Sequence, residues 1–243
     1  MSNTHKHTQS SRVAMITGAG RGIGRALLDQ LLSNDYELIA IVKTEADVEK
    51  LEQVAAGKVH ALCCDITDPH AEQSIKSFVN DKVSKIDLLI NNAGYGATGY
   101  GIEGLKYEEL DSVLAVHLYG PIRCTRAALA LLRKSSAASI VNISSRFASL
   151  EWVANGVVPH DQATYAYRIA KGAMNMLTSC LAVELQAAKI RVLAIDPGKV
   201  KTRFGPKDAD TEPEAAAAAI LNLVENSNST AKFLHSSGET LPW

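Results

Sequence analysis

Aromatic side chains are scarce in this 243-residue chain, at 5%, and cysteine (4) and proline (7) are few. The cysteines stand at 63, 64, 124 and 180, with no CxxC pair. That spacing excludes a disulfide framework and the common zinc sites, so no metal is expected. The adjacent Cys63 and Cys64 point to opposite faces of a strand, and the four thiols read as reduced groups in a cytosolic core. No apolar run approaches the roughly 20 residues that cross a bilayer, which excludes a transmembrane architecture. Excess charge of either sign is also lacking. With 25 basic and 26 acidic residues the net charge is −1, leaving no footprint for nucleic acid and no polybasic membrane patch. The opening MSNTHKHTQSSR has no apolar segment of the secretory type, so residues 1–11 are expected to form a flexible tail on a cytoplasmic protein.

What is present is a 47% apolar, 21% charged composition, ordinary for a globular domain. Short apolar runs alternate with longer stretches of helical period. Strands are expected at Val13–Thr17, Glu37–Val42, Lys58–Cys63, Ile86–Ile90, Ser139–Ile143, Ile190–Ile195 and Lys232–His235. Helices are expected at Ile23–Ser33, Glu45–Ala55, Pro69–Val83, Tyr107–Lys134, Thr164–Ala187 and Pro213–Glu225, with Pro69 and Pro213 in first turns. Nearly continuous apolar strands are those buried on both faces. The pattern therefore predicts one α/β domain over 12–243, a doubly wound Rossmann-type fold with a seven-stranded parallel sheet. Three irregular stretches, Gly94–Gly104, Arg146–Ala163 and Gly198–Glu212, leave the carboxyl ends of strands, where such sheets bind ligands.

Chemistry-bearing residues fall at those strand ends. Thr17-Gly18-Ala19-Gly20-Arg21-Gly22-Ile23-Gly24 links the first strand to the first helix, and its glycines let backbone approach a pyrophosphate at the positive helix end. Asp65 lies beyond the third strand, where a carboxylate suits either an adenine amino group or a turn. Asn91-Asn92-Ala93-Gly94 ends the fourth strand as a turn or as a small-residue wall for a ribose. Tyr167 and Lys171 share one helix face at i and i+4, and an ammonium beside a phenol is expected to lower its pKa toward working pH. Tyr165 is a decoy with Ile169 one turn on, and Ser144 and Ser145 each offer a hydroxyl to a substrate oxygen. Lys43, after the second strand, stands where an acidic residue binds a ribose 2′-hydroxyl; a solvated lysine is the plainer alternative.

Together TGAGRGIG, CDIT, NNAG, IVNISS, YRIAK and Pro197-Gly198-Lys199-Val200-Lys201-Thr202 resemble the short-chain dehydrogenase/reductase family from Val13 to Trp243. Tyr167 to Met176 and the carboxyl end resemble its branch of C-factor-type proteins and small carbonyl reductases. The resemblance implies Tyr167 as general acid/base, Lys171 as its pKa partner and ribose holder, and Ser145 on the substrate oxygen. It implies Thr17, Gly18, Arg21, Gly22, Ile23 and Gly24 around the pyrophosphate, and Asp65 and Ile66 at adenine. Asn92, Ala93 and Gly94 would line the ribose side, with Pro197, Val200 and Thr202 at the nicotinamide. His117 stands where the family usually has an asparagine that supports a proton path to the lysine; a purely structural histidine is the other reading. Arg146-Phe147-Ala148 replaces the usual glycine after Ser145, and Lys199, Arg203 and Phe204 are unusual near Thr202.

The function expected is therefore an oxidoreductase that prefers NADP(H), with NAD(H) usable, and acts on a small-molecule carbonyl or alcohol. A nucleotide-binding regulatory protein on the same fold is the alternative. A sugar-nucleotide epimerase or dehydratase is set aside, because the chain leaves no room for the extra carboxyl-terminal substrate domain. The apolar residues of Thr164–Ala187 cover more than one helix face, so a homo-oligomer, dimer or tetramer, is expected.

Overall fold

The computed structural model describes residues 11–243, so most of the expected tail lies outside the described residues. Seven parallel strands run in the order β3-β2-β1-β4-β5-β6-β7. They are β1 Val13–Thr17, β2 Glu37–Val42, β3 Val59–Cys63, β4 Leu88–Asn91, β5 Ser139–Ile143, β6 Arg191–Asp196 and β7 Lys232–His235. Alternate side chains of these strands feed two cores. One packs under helices α1 (Gly22–Ser33), α2 (Glu45–Glu52) and α8 (Pro213–Asn226), with Leu27, Leu31, Ile220 and Leu221 buried against Ala14, Leu38 and Val141. The other lies under α3 (Ala71–Lys82), α5 (Gly120–Leu132) and α7 (Tyr165–Glu184), where Ile75, Val79 and Leu131 meet Met15, Leu89 and Ile140. Burial on both faces is why these strands carry apolar residues almost without alternation. The winding reverses between β1 and β4, which opens a crevice at their carboxyl ends.

Three expectations need correction. The helix expected over 107–134 is broken into α4 (Tyr107–Leu114), a π-turn at Ala115–Tyr119 and α5. Pro121 explains the break: it offers no N–H to the His117 carbonyl and its ring crowds that oxygen, so the turn widens. The stretch Arg146–Ala163 is not wholly irregular, because Ser149 caps a short helix, α6 (Leu150–Ala154), by accepting from Trp152 N at 3.1 Å. Pro69 precedes α3 rather than sitting in its first turn, since Asp68 closes a turn by accepting from His70 N at 2.7 Å. The thiols are all free, but only Cys124 is buried in the core and Cys180 is exposed. Among the described residues no helix is long and apolar enough to cross a membrane.

Candidate active site at the carboxyl ends of the strands

The turn after β1 is built for close backbone approach. Gly18 and Gly22 have φ of +70° and +56°, and a Cβ on Gly24 would stand 2.2 Å from the Gly18 carbonyl oxygen. Arg21 begins α1 without capping it through its side chain, so the first N–H groups of the helix are left for a ligand. Across the crevice, Thr17 Oγ1 accepts from Asn92 N and Ala93 N at 3.0 Å each. Asn92 returns its amide to the Thr17 carbonyl at 3.0 Å. These bonds lock the β1 and β4 turns together, while Gly22 faces Thr202 from the turn after β6. The donor set fits a nicotinamide dinucleotide: free helix N–H groups for the pyrophosphate, and walls without bulk beside it.

At the outer end Asp65 closes a turn. Its Oδ1 accepts from Thr67 N and Oγ1 at 3.0 and 2.7 Å, and its Oδ2 pairs with Lys43 Nζ at 2.7 Å. Burial raises its carboxyl, but the Lys43 ammonium and the Thr67 bonds outweigh it and hold the group below its ordinary range. Ile66 turns its side chain into the core against Gly120, where a Cβ would lie 2.5 Å from Ile66 Cδ1. Ile66 thus spends its side chain on packing; its carbonyl accepts from Arg123.

The inner end gathers Ser145, Tyr167, Lys171 and His117. Thr164 caps α7 by accepting from Tyr167 N at 3.3 Å, which fixes where the helix starts and which face carries Tyr167 and Lys171. Lys171 is buried and donates to the Ile143 carbonyl at 2.6 Å. Its ammonium lies 5.7 Å from the Tyr167 ring centre. The two serines are sorted by their surroundings: the buried Ser144 donates to Asn175 at 2.6 Å, whereas Ser145 Oγ accepts from Phe147 N at 3.4 Å and acts on the Tyr167 phenol. Tyr165 stays exposed.

The electrostatics correct the expectation that Lys171 lowers the phenol. Burial pushes Tyr167 up to about 12, against the pull of Ser145. Burial brings Lys171 down to about 7, with Asp196 opposing. Desolvation is the largest influence on both partners and favours the neutral form of each.

His117 occupies the middle of the π-turn and is buried. Its Nε2 lies 2.8 Å from the Tyr95 carbonyl, so that nitrogen carries the hydrogen and Nδ1 is left as a buried acceptor with no partner among the described residues. The ring meets Tyr167 edge-on at 5.5 Å. Burial, then the Lys171 charge, hold the imidazole well below its usual pKa, so it is neutral at pH 7. Gly94 makes room for it: a Cβ there would come within 2.2 Å of His117 Cε1. A signal missed by sequence reasoning is Asp196, buried at the end of β6, 3.9 Å from Arg146 and acting on both Tyr167 and Lys171. An acidic residue before Pro197-Gly198 at an apolar strand end was the clue. Beyond it a cavity of about 430 Å³ opens, with Arg146, Lys199 and His235 among its walls. Pro197 and Thr202 are half-buried on this side, while Val200 is buried and bridges to Thr211. Among the described residues no group of three His, Cys, Asp or Glu could hold a metal.

Comparison with known proteins agrees with this geometry. The family pattern described as short chain dehydrogenase matches residues 12–213. Bovine L-xylulose reductase is 32% identical over 248 residues, covering 96% of this chain and 95% of that protein. The pig protein named carbonyl reductase [NADPH] 2 is 30% identical over 204 residues, covering 84% and 77%. The structure of NADPH-bound carbonyl reductase from chicken fatty liver superposes with a TM-score of 0.87 at 27% identity, over 96% of this chain and 99% of that one.

The contact between residues 94 and 117 predicts a coupled pair. Gly94→Ala should destabilise the fold by about 1–3 kcal/mol through overpacking. His117→Ser, which removes the ring, should relieve most of that loss. A urea double-mutant cycle checks it, with additive losses as the contrary result.

Proposed function

The chain belongs to the short-chain dehydrogenase/reductase family and acts on CH–OH and C=O groups, and from that premise we propose an NADP(H)-preferring carbonyl reductase in which Tyr167 is the general acid/base. The observation that carries the reading is the convergence of Tyr167, Lys171 and Ser145 on one spot beside the dinucleotide crevice. The bound nicotinamide supplies the hydride. Tyr167, kept protonated by burial, donates its phenolic hydrogen to the oxygen of the carbonyl as negative charge develops there. Ser145 donates a hydrogen bond to the same oxygen and orients the group. Lys171 answers the phenolate that follows: the new negative charge beside it draws its own proton equilibrium back toward ammonium.

His117 supports this exchange as a positioning residue. Its tautomer is set by the Tyr95 carbonyl, and the free Nδ1 is an acceptor for a hydrogen from the lysine side, directly or through water. Its low pKa keeps that acceptor available across neutral pH. We therefore read His117 in the role that an asparagine usually fills.

Preference for NADP(H) rests on Lys43 and Arg21, two cations at the outer end where the ribose 2′ position falls. Lys43 is largely exposed and paired with Asp65, so it can swing to a 2′-phosphate without leaving a buried charge behind. NAD(H) remains usable as a second cofactor. The residues assigned to the dinucleotide are Thr17 to Gly24 at the pyrophosphate, Asp65 with the Ile66 backbone at adenine, and Asn92 to Gly94 with Pro197, Val200 and Thr202 toward the nicotinamide. Ile169, Met176 and Val183 are exposed at seven-residue spacing along α7, an unpaired apolar stripe that we assign to a second copy of the chain. Light scattering at micromolar concentration checks this, and a monomer mass would refute it. Free thiols suit a reducing, cytoplasmic compartment.

Two sets of variants test the reading. Tyr167→Phe keeps the ring and should lower kcat by about 10²–10⁴-fold with cofactor affinity retained. Lys171→Met should lower turnover and weaken NADPH binding together, and Tyr165→Phe should change neither. Wild-type kcat in Tyr167→Phe would overturn the proton-donor assignment. For the cofactor, kcat/KM should favour NADPH over NADH, and Lys43→Asp should move the ratio toward NADH. A wild-type ratio favouring NADH would contradict the preference.

A further inference from the structure

The outer end of the crevice holds an acidic group that no part of the reaction uses. Asp47 lies in the first turn of α2, half-buried, with its carboxylate directed at a neighbouring turn. It sits on the phosphate-binding turn: a Cβ on Gly20 would meet Asp47 Cγ at 3.0 Å and its two oxygens at 3.2 and 3.3 Å. Thr44 holds it there. The threonine hydroxyl donates to Asp47 Oδ2 at 2.9 Å and accepts from Asp47 N at 3.2 Å, a reciprocal cap that leaves the side chain little choice of direction. The absent side chain of Gly20 is what admits the carboxylate to this place.

Charge around it is unbalanced. Lys43, the neighbouring cation, spends its ammonium on Asp65 at 2.7 Å rather than on Asp47. Glu45 stands two residues away on the same turn, a second acid that, after burial, helps raise the Cys63 thiol. Asp47 therefore places a fixed negative charge against the turn that receives the cofactor's phosphates, close to the ribose 2′ position at the end of β2.

We propose that Asp47 is a specificity-determining residue: its carboxylate, seated on Gly20 by Thr44, opposes a 2′-phosphate and narrows the preference that Lys43 and Arg21 create. The consequence is a site that discriminates weakly between the two dinucleotides. Lys43 and Asp47 act as opposed settings of one selector, and loss of the carboxylate makes the chain markedly more selective for the phosphorylated cofactor. The inference rests on the dinucleotide reading above, but not on which cofactor the wild type prefers, since it concerns only the change in ratio.

The test is equilibrium binding, read by calorimetry on the full chain, with 2′,5′-ADP and 5′-AMP as probes alongside NADPH and NADH. Asp47→Asn keeps the shape and the bond to Thr44 while removing the charge. It should tighten 2′,5′-ADP and NADPH by roughly 5- to 10-fold and leave 5′-AMP and NADH within about 2-fold, with the gap shrinking at high salt. An equal shift for all four probes, or none, would overturn the proposal, because it would make Asp47 only a helix cap. Asp47→Ser gives the same comparison if the amide perturbs α2. Should the wild type bind NADH more tightly than NADPH, the preference reading fails, while the shift in ratio still decides the role of Asp47.

Discussion

A lysine withdrawn from water and tied to a single backbone carbonyl organises the inner half of this molecule. Lys171 donates to the Ile143 carbonyl at the end of β5, which fixes α7 in register with the sheet edge and so fixes where the Tyr167 phenol stands. Burying a charge costs several kcal/mol unless it is well partnered, and one carbonyl is a thin partnership. The amine answers by moving its pKa to about 7, and the phenol beside it moves the other way to about 12. A pair poised in this manner holds its proton on the phenol until negative charge arrives nearby. In the reaction proposed above, reduction of a carbonyl would create that charge beside Tyr167.

The histidine in the π-turn follows from the same constraint. Pro121 widens the helix, the widening turns His117 inward, and Gly94 yields the volume its ring needs. Imidazole brings an acceptor without a charge, because burial and Lys171 both oppose its protonation. The site thus keeps a hydrogen-bonding group beside the lysine while adding no second cation to a dry pocket. Asp196, buried on the far side and loosely paired to Arg146, supplies the balancing negative field.

Much of this was legible before the fold was seen. Short apolar runs bounded by polar residues such as Glu37, Ser139 and Lys232 marked β1, β2, β5 and β7 to the residue. Tyr167 and Lys171 were legible as a pair from spacing alone, and Thr164 marked the start of their helix. The direction of their pKa shifts was not, since desolvation depends on what other segments pack above them. The break at 115–119 carried a visible sign in Pro121, outweighed by the long apolar period on either side. The resemblance pointed to Ser145 over Ser144; the physical ground for it, the bond that ties Ser144 to Asn175 across 31 residues of chain, needed the fold. Asp47 belongs to no motif of the sequence; only the fold brings it onto Gly20.

The central claim is that burial, rather than mutual attraction, sets the protonation of the Tyr167–Lys171 pair. A ¹³C NMR titration of lysine Cε in the cofactor-free protein, with the Lys171 signal assigned by its loss in Lys171→Met, tests it most directly. The account predicts a midpoint near 7 for that one lysine. A midpoint near 10.5, the ordinary value of a solvated lysine, would contradict it.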